Sequence, residues 1–197
     1  MWTLLSIALV AALAAPAGAP PRAEREYALA KETAQRVLAD TRALLEKELR
    51  EKGPAGALRA CSAVALREAT RHERAGWRVR RVSLRLRNPA DAPTPGEAAV
   101  LRRWEAEHRR RPLGPEVELA EVSHADGVPT LHYMKPIVIG PLCLNCHGPA
   151  GRLAPDVRAA LREAYPRDRA TGYRVGQFRG AISVMVPLEG PQPGTPR

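Results

Sequence analysis

Aromatic side chains are scarce in this chain of 197 residues: they make up 4% of it, and Phe178 is the single phenylalanine. The core therefore has to be built from Ala, Leu and Val, and a hydrophobic content of 45% is enough for one domain of ordinary size. A large flat apolar ligand would take up missing aromatic volume in such a chain, but nothing in the composition requires one. Lysine is scarce too (Lys31, Lys47, Lys52, Lys135), so the 31 basic residues are overwhelmingly arginine; with 21 acidic residues the net charge is +10. No Lys/Arg tail, zinc-finger spacing or aromatic-interleaved basic motif accompanies this charge, which argues against a nucleic-acid partner. The densest stretch, RVRRVSLRLR (78–87), reads as solvated surface. The charge does support attraction to anions, such as an acidic partner protein or carboxylates.

No apolar run is long enough to span a bilayer comfortably. Met1 to Ala15 is nearly all apolar, and Ala15-Pro16-Ala17 fits a small-x-small cleavage site, so residues 1–17 are expected to be a signal peptide. Only the terminal amine is positive there, and no cysteine stands near the cleavage zone to carry a lipid anchor. The expected destination is the bacterial periplasm or the exterior, with no stable membrane span after cleavage.

Neither an internal repeat nor βαβ alternation is present, which argues for an α+β fold over α/β. Apolar residues from Tyr27 to Leu49 recur at spacings of three and four, predicting a helix that ends at Gly53-Pro54. A second helix is predicted from about Ala57 to Arg71, with Cys61 on a face shared with Leu58, Val64 and Ala65. Residues 77–87 read as a half-buried strand, with Val82, Leu84 and Leu86 on one face and Ser83, Arg85 and Arg87 on the other. Thr94, Pro95 and Glu97 form a capping box for a helix to about Glu107. Residues 116–122 and 128–139 read as a hairpin turning at Asp126-Gly127, 155–164 as a short helix and 178–188 as a final strand. The folded domain is expected over 22–190, and the tail 191–197 is expected to be disordered.

The chemistry lies in PLCLNCHGPAG (141–151), where Cys143-Leu144-Asn145-Cys146-His147 is a Cys-x-x-Cys-His pentapeptide, the attachment signature of c-type haem. Two thiols two residues apart on one tight turn can each reach a vinyl group of one porphyrin edge, and the following imidazole can ligate the iron. The competing readings are weaker. A thioredoxin-like dithiol would need a βαβ context, zinc would need a second Cys or His pair at matching spacing, and a disulfide across two residues is strained. Cys61 is left over, as a small buried hydrophobe or as a thiolate on the far side of the iron. His132 and Met134 lie in the strand before the motif and share a face by alternation. For haem propionates the candidates are Arg169, Arg174 and Arg179, whose forked guanidinium suits carboxylates, and Lys135 on the strand leading to the motif.

The segments RRVSLRLRNPADAP (80–93), YMKPIVIGPLCLNCHG (133–148) and YPRDRATGYRVGQFRGAISVMVP (165–187) carry a resemblance. The chain resembles a bacterial family of c-type haem proteins with a PAS-like fold, found as secreted proteins and as sensory regions of membrane kinases. Asp91 departs from the asparagine common there in the family. The resemblance implies two N-terminal helices followed by a PAS-like antiparallel sheet with helical insertions, against which one covalently bound haem c packs. It also implies His147 as axial ligand and, since some members use a cysteine of the second helix, Cys61 as the sixth.

Two function classes follow. The first is a redox carrier or redox sensor with six-coordinate haem, served by a redox partner that is acidic if charge steers it. The second is a gas sensor or peroxidase-like enzyme with an open iron position. The chain has no recognisable set of distal acid and base residues, and a cysteine is available to close the site. Both features favour the first class and a non-enzymatic role.

Overall fold

The structure, a computed structural model, describes residues 21–72, 76–125 and 127–189, apart from the side chains of 21, 59–69, 71, 72 and 125. The expected signal segment 1–17, the tail 191–197 and Asp126 lie outside the described residues. The fold is α+β. Helix α1 (Pro21–His72) is broken once, at Gly53, where φ is 67° and ψ is 178°. Glycine takes that left-handed conformation without a Cβ penalty, and Pro54 follows as the first residue of the second arm, where its missing N–H leaves no bond unmade. The predicted helix pair is therefore one elbow, 21–52 and 54–72, with no loop between. No helix among the described residues is long and apolar enough to cross a membrane.

The sheet has four antiparallel strands: β1 (Arg78–Val82), β2 (Leu119–Ala125), β3 (Val128–Val138) and β4 (Phe178–Pro187). Their order is β1-β4-β3-β2, so the last strand of the chain lies at the centre. Period-two alternation gives β4 two apolar faces. On one, Ile182, Val184 and Val186 meet Ala30, Ala34 and Val37 of α1, with Leu131 and Tyr133 of β3 and the ring of Trp77. On the other, Ala181 and Phe178 meet Leu101 and Trp104 of α2 (Pro95–Arg110), with Met134 and Val82. The capping box is formed: Thr94 Oγ1 accepts from the Glu97 N–H, and a Glu97 carboxylate oxygen accepts from the Thr94 N–H at 2.7 Å. Helix α2 runs one turn beyond Glu107, to Arg110.

The predicted strand over 77–87 is half as long as expected. β1 stops at Val82 because the Ser83 N–H turns to the carbonyl of Asp91 (3.1 Å), and the Ser83 hydroxyl donates to the Arg179 carbonyl (2.8 Å). From Ser83 the chain leaves the sheet, and the expected outward face of Ser83, Arg85 and Arg87 does not form. Instead these arginines cross over the C-terminal half of the chain. After β3 come a 3-10 turn (Pro141–Cys143), α3 (Leu144–His147) and α4 (Pro155–Ala164). Val157, Ala160 and Leu161 of α4 pack with Cys146, Leu153 and the α1 residues Ala55 and Leu58. The start of the second arm of α1 thus sits on the Cys-x-x-Cys-His segment.

Candidate cofactor cavity

A cavity of about 400 Å3 opens where the first arm of α1, the end of β3 and the 3-10 turn meet. That volume lies in the roughly 300–1,000 Å3 range of small-molecule and cofactor sites. Leu38, Leu45, Leu58, Ile137 and Ile139 give it apolar walls, and Cys143, Cys146 and His147 form one side. The motif works locally as its spacing requires. The 3-10 turn passes directly into α3, so Cys143 and Cys146 are one helical turn apart and His147 follows at once. Cys143 is half-buried, and no disulfide joins it to Cys146 in this structure. Cys146 is buried, its Sγ 4.0 Å from the carbonyl oxygen of Pro54.

His147 is held at its Nδ1, which lies 2.6 Å from the carbonyl oxygen of Ala170. A carbonyl only accepts, so Nδ1 carries the proton and Nε2 is the nitrogen left for a ligand. Burial holds the imidazole well below its usual pKa, and the charges of Arg87 and Arg179 add to this against the pull of the Ala170 bond. At neutral pH His147 is therefore uncharged, the form that binds metals. The Tyr173 ring stands edge-on to it, centroids 6.1 Å apart, and Tyr173 N–H donates to the His147 carbonyl at 2.8 Å.

Arginines close the cavity beside His147. Arg179 owes its place to a β-bulge: Ile137 pairs with Gly180 and Val138 with Phe178, which leaves Arg179 as the additional residue of β4. Its Nη1 donates to the Ser83 hydroxyl and, at 3.2 Å, to the Arg85 carbonyl, with the guanidinium 5.7 Å from the Tyr173 ring centroid. Burial lowers its pKa to about 10, so it keeps its charge at neutral pH. Arg85 lies over the same ring at 4.1 Å. Arg87 pairs with Asp168 at 3.1 Å with both side chains only 9% exposed, and Arg81 pairs with Asp91 at 3.2 Å. The Nε atoms of Arg81 and Arg87 are buried and have no hydrogen-bond partner among the described residues.

Of the residues singled out from the sequence, Cys143, Cys146, His147 and Arg179 come together on the cavity. Arg169 and Arg174 are exposed and do not line it. Arg169 serves through its backbone, its N–H donating to the Leu86 carbonyl, and Arg174 belongs to the turn capped by Gln177. His132 faces the other side of the sheet, bonded to the Ser183 hydroxyl at 3.0 Å, and Met134 is packed under α2. The side chain of Cys61 lies outside the described residues. Arg81 and Arg87, taken for solvated surface, are the residues that sequence reasoning missed. Nothing local marks them, because the strand ends early through a bond from Ser83 to Asp91, eight residues on.

A four-stranded antiparallel sheet, backed by an elbowed helix and presenting a Cys-x-x-Cys-His turn to an arginine-rimmed cavity, defines a small α+β class of domain. Within it, the chain belongs to the Tll0287-like family, whose model matches residues 21–187. Its fold is similar to the crystal structure of the cyanobacterial haem protein Tll0287, with a TM-score of 0.63 and 26% identity, covering 88% of this chain and 100% of that one. No curated protein matches the chain.

Proposed function

We propose that this chain is an exported c-type haem protein, in which Cys143 and Cys146 hold one haem through thioether bonds and His147 ligates its iron through Nε2. The observation that carries the reading is the convergence of two thiols and an uncharged imidazole, its Nδ1 already bonded, on one apolar cavity. The donor set fits: each thiol adds across a vinyl double bond without net oxidation, and the imidazole is in its ligating form. Membership of a family that includes a haem protein supports it further. Arg81, Arg87 and Arg179 are matched to propionate carboxylates, two of them offering a buried N–H that has no partner among the described residues. The sheet is read as PAS-like.

Bound haem supplies one-electron exchange between ferric and ferrous iron, and the proposed role is electron transfer or redox sensing with an acidic partner protein. Cys61 is proposed as the sixth ligand. Leu58, one turn earlier in the same helix, lines the cavity, so that stretch of α1 borders the site. A thiolate there favours the ferric state and gives a low reduction potential.

The test is the chain produced with a haem-maturation system in the bacterial periplasm. Its intact mass is expected to exceed that of the polypeptide from about residue 18 onward by one haem, with pigment resistant to acid-acetone extraction, and Cys143→Ala with Cys146→Ala is expected to abolish both. Cys61→Ser is expected to raise the potential and convert a low-spin ferric spectrum. A wild-type ferric iron that is high-spin and binds azide readily would instead favour the gas-sensing or peroxidase-like reading.

A further inference from the structure

Two hydrogen bonds in series connect a buried ion pair to the imidazole of the motif. His147 Nδ1–H donates to the carbonyl of Ala170, a fully buried residue. The N–H of Ala170 donates to Asp168 Oδ1 at 2.8 Å. The other oxygen of that carboxylate, Oδ2, takes Arg87 Nη2 at 3.1 Å. The same Arg87 nitrogen donates to the carbonyl of Cys146, the residue immediately before His147. One guanidinium therefore grips the backbone that carries the imidazole and the carboxylate that holds the imidazole's acceptor.

We propose that Asp168, gripped by Arg87, is a positioning residue that sets the orientation and donor strength of His147 by fixing the backbone on which the Ala170 carbonyl is carried. The inference rests on His147 being an iron ligand. The Ala170 carbonyl is fixed from both sides, by Asp168 before it and after it by the bonds from Gly172 N–H to the Gly148 carbonyl and from Tyr173 N–H to the His147 carbonyl, both 2.8 Å. That rigidity determines how strongly Nδ1–H is bonded, and a strongly bonded Nδ1–H makes Nε2 the more basic ligand. The arrangement explains why Asp168 points inward on a loop of exposed neighbours: Arg167 and Arg169 on either side are solvated, whereas the Asp168 side chain is 9% exposed.

Asp168→Asn and Asp168→Ala separate the two roles, because both remove the same charge while only asparagine keeps an oxygen that can accept from Ala170. Reduction potential and ferric electron paramagnetic resonance are the readouts on the haem-loaded chain. The expected result is a larger upward shift of potential and a larger change of g-values for Asp168→Ala than for Asp168→Asn. If Asp168→Ala does not accumulate, Asp168→Leu, which fills the space and cannot accept, takes its place. Equal shifts for the accepting and non-accepting variants would mean that charge alone acts, and would overturn the positioning role while leaving haem binding intact. Wild-type chain that never acquires pigment would overturn both.

Discussion

At Gly180 the constraint is a lack of atoms. The residue has φ of 154°, and a Cβ there would run into the carbonyl oxygen of Val82 on the neighbouring strand. That close approach closes the bulge that turns Arg179 out of the strand and into the cavity wall. Gly180→Ala is expected to destabilise the fold by more than about 2 kcal/mol, combining strained backbone with a backbone collision. Urea unfolding at neutral pH measures it, and a loss under about 0.5 kcal/mol would mean that the strand shifts freely and the bulge fixes nothing. The sequence carried the hint, since a glycine inside a strand often marks a bulge or a close backbone approach. Arg179 was singled out for its chemistry alone; the bulge is what brings it inward. Arg169 and Arg174 have the same chemistry without that backbone device, and they stay in solvent.

Elements are tied together away from the cavity by Glu118, which immediately precedes β2. Its carboxylate accepts from Tyr27 and Lys31 of α1 and from Tyr133 of β3, the last at 2.9 Å. Burial alone would raise the carboxyl's pKa, but these three hydrogen bonds outweigh it and hold Glu118 below its usual value. The depressed folded value makes the contribution to stability present in full above about pH 4.5 and lost as pH falls through the folded pKa. Glu118→Gln is expected to cost about 1–3 kcal/mol at neutral pH, with the gap to wild type narrower at an acid pH below 4.5. Unfolding curves at both pH values check it, and a gap independent of pH would show that charge plays no part. Helices and strands of this kind were legible where local chemistry dictates them: Thr94 with Glu97, Pro155 at the head of α4, and Gly127 with positive φ at the hairpin. β1 was not, because its end depends on a bond from Ser83 to Asp91, eight residues on, that no periodicity encodes. Strand order was equally hidden, since β4 enters the centre of the sheet through pairing with both β1 and β3.

Across the molecule, Cys143-Leu144-Asn145-Cys146-His147 was legible as a site because its five residues are consecutive. The cavity around it was not, because it is assembled from α1, the β1 exit, β3, the motif and the bulge of β4. Those walls also bear on timing. Cys146 is 8% exposed and lies beneath Pro54, the first residue past the break in α1. Any enzyme that joins this thiol to a porphyrin edge cannot reach it once the elbow has come down. If a haem is joined here, as proposed, attachment has to happen on an open chain, with the second arm of α1 docking afterwards as a seal. Haem-free chain allowed to fold first is expected to accept haem from the maturation machinery far more slowly than chain presented unfolded, in a time course followed by intact mass. Equal rates would mean that the elbow opens readily on its own. If the order holds, the break at Gly53 acts as the latch of a one-way assembly, closing behind a cofactor already bonded in place.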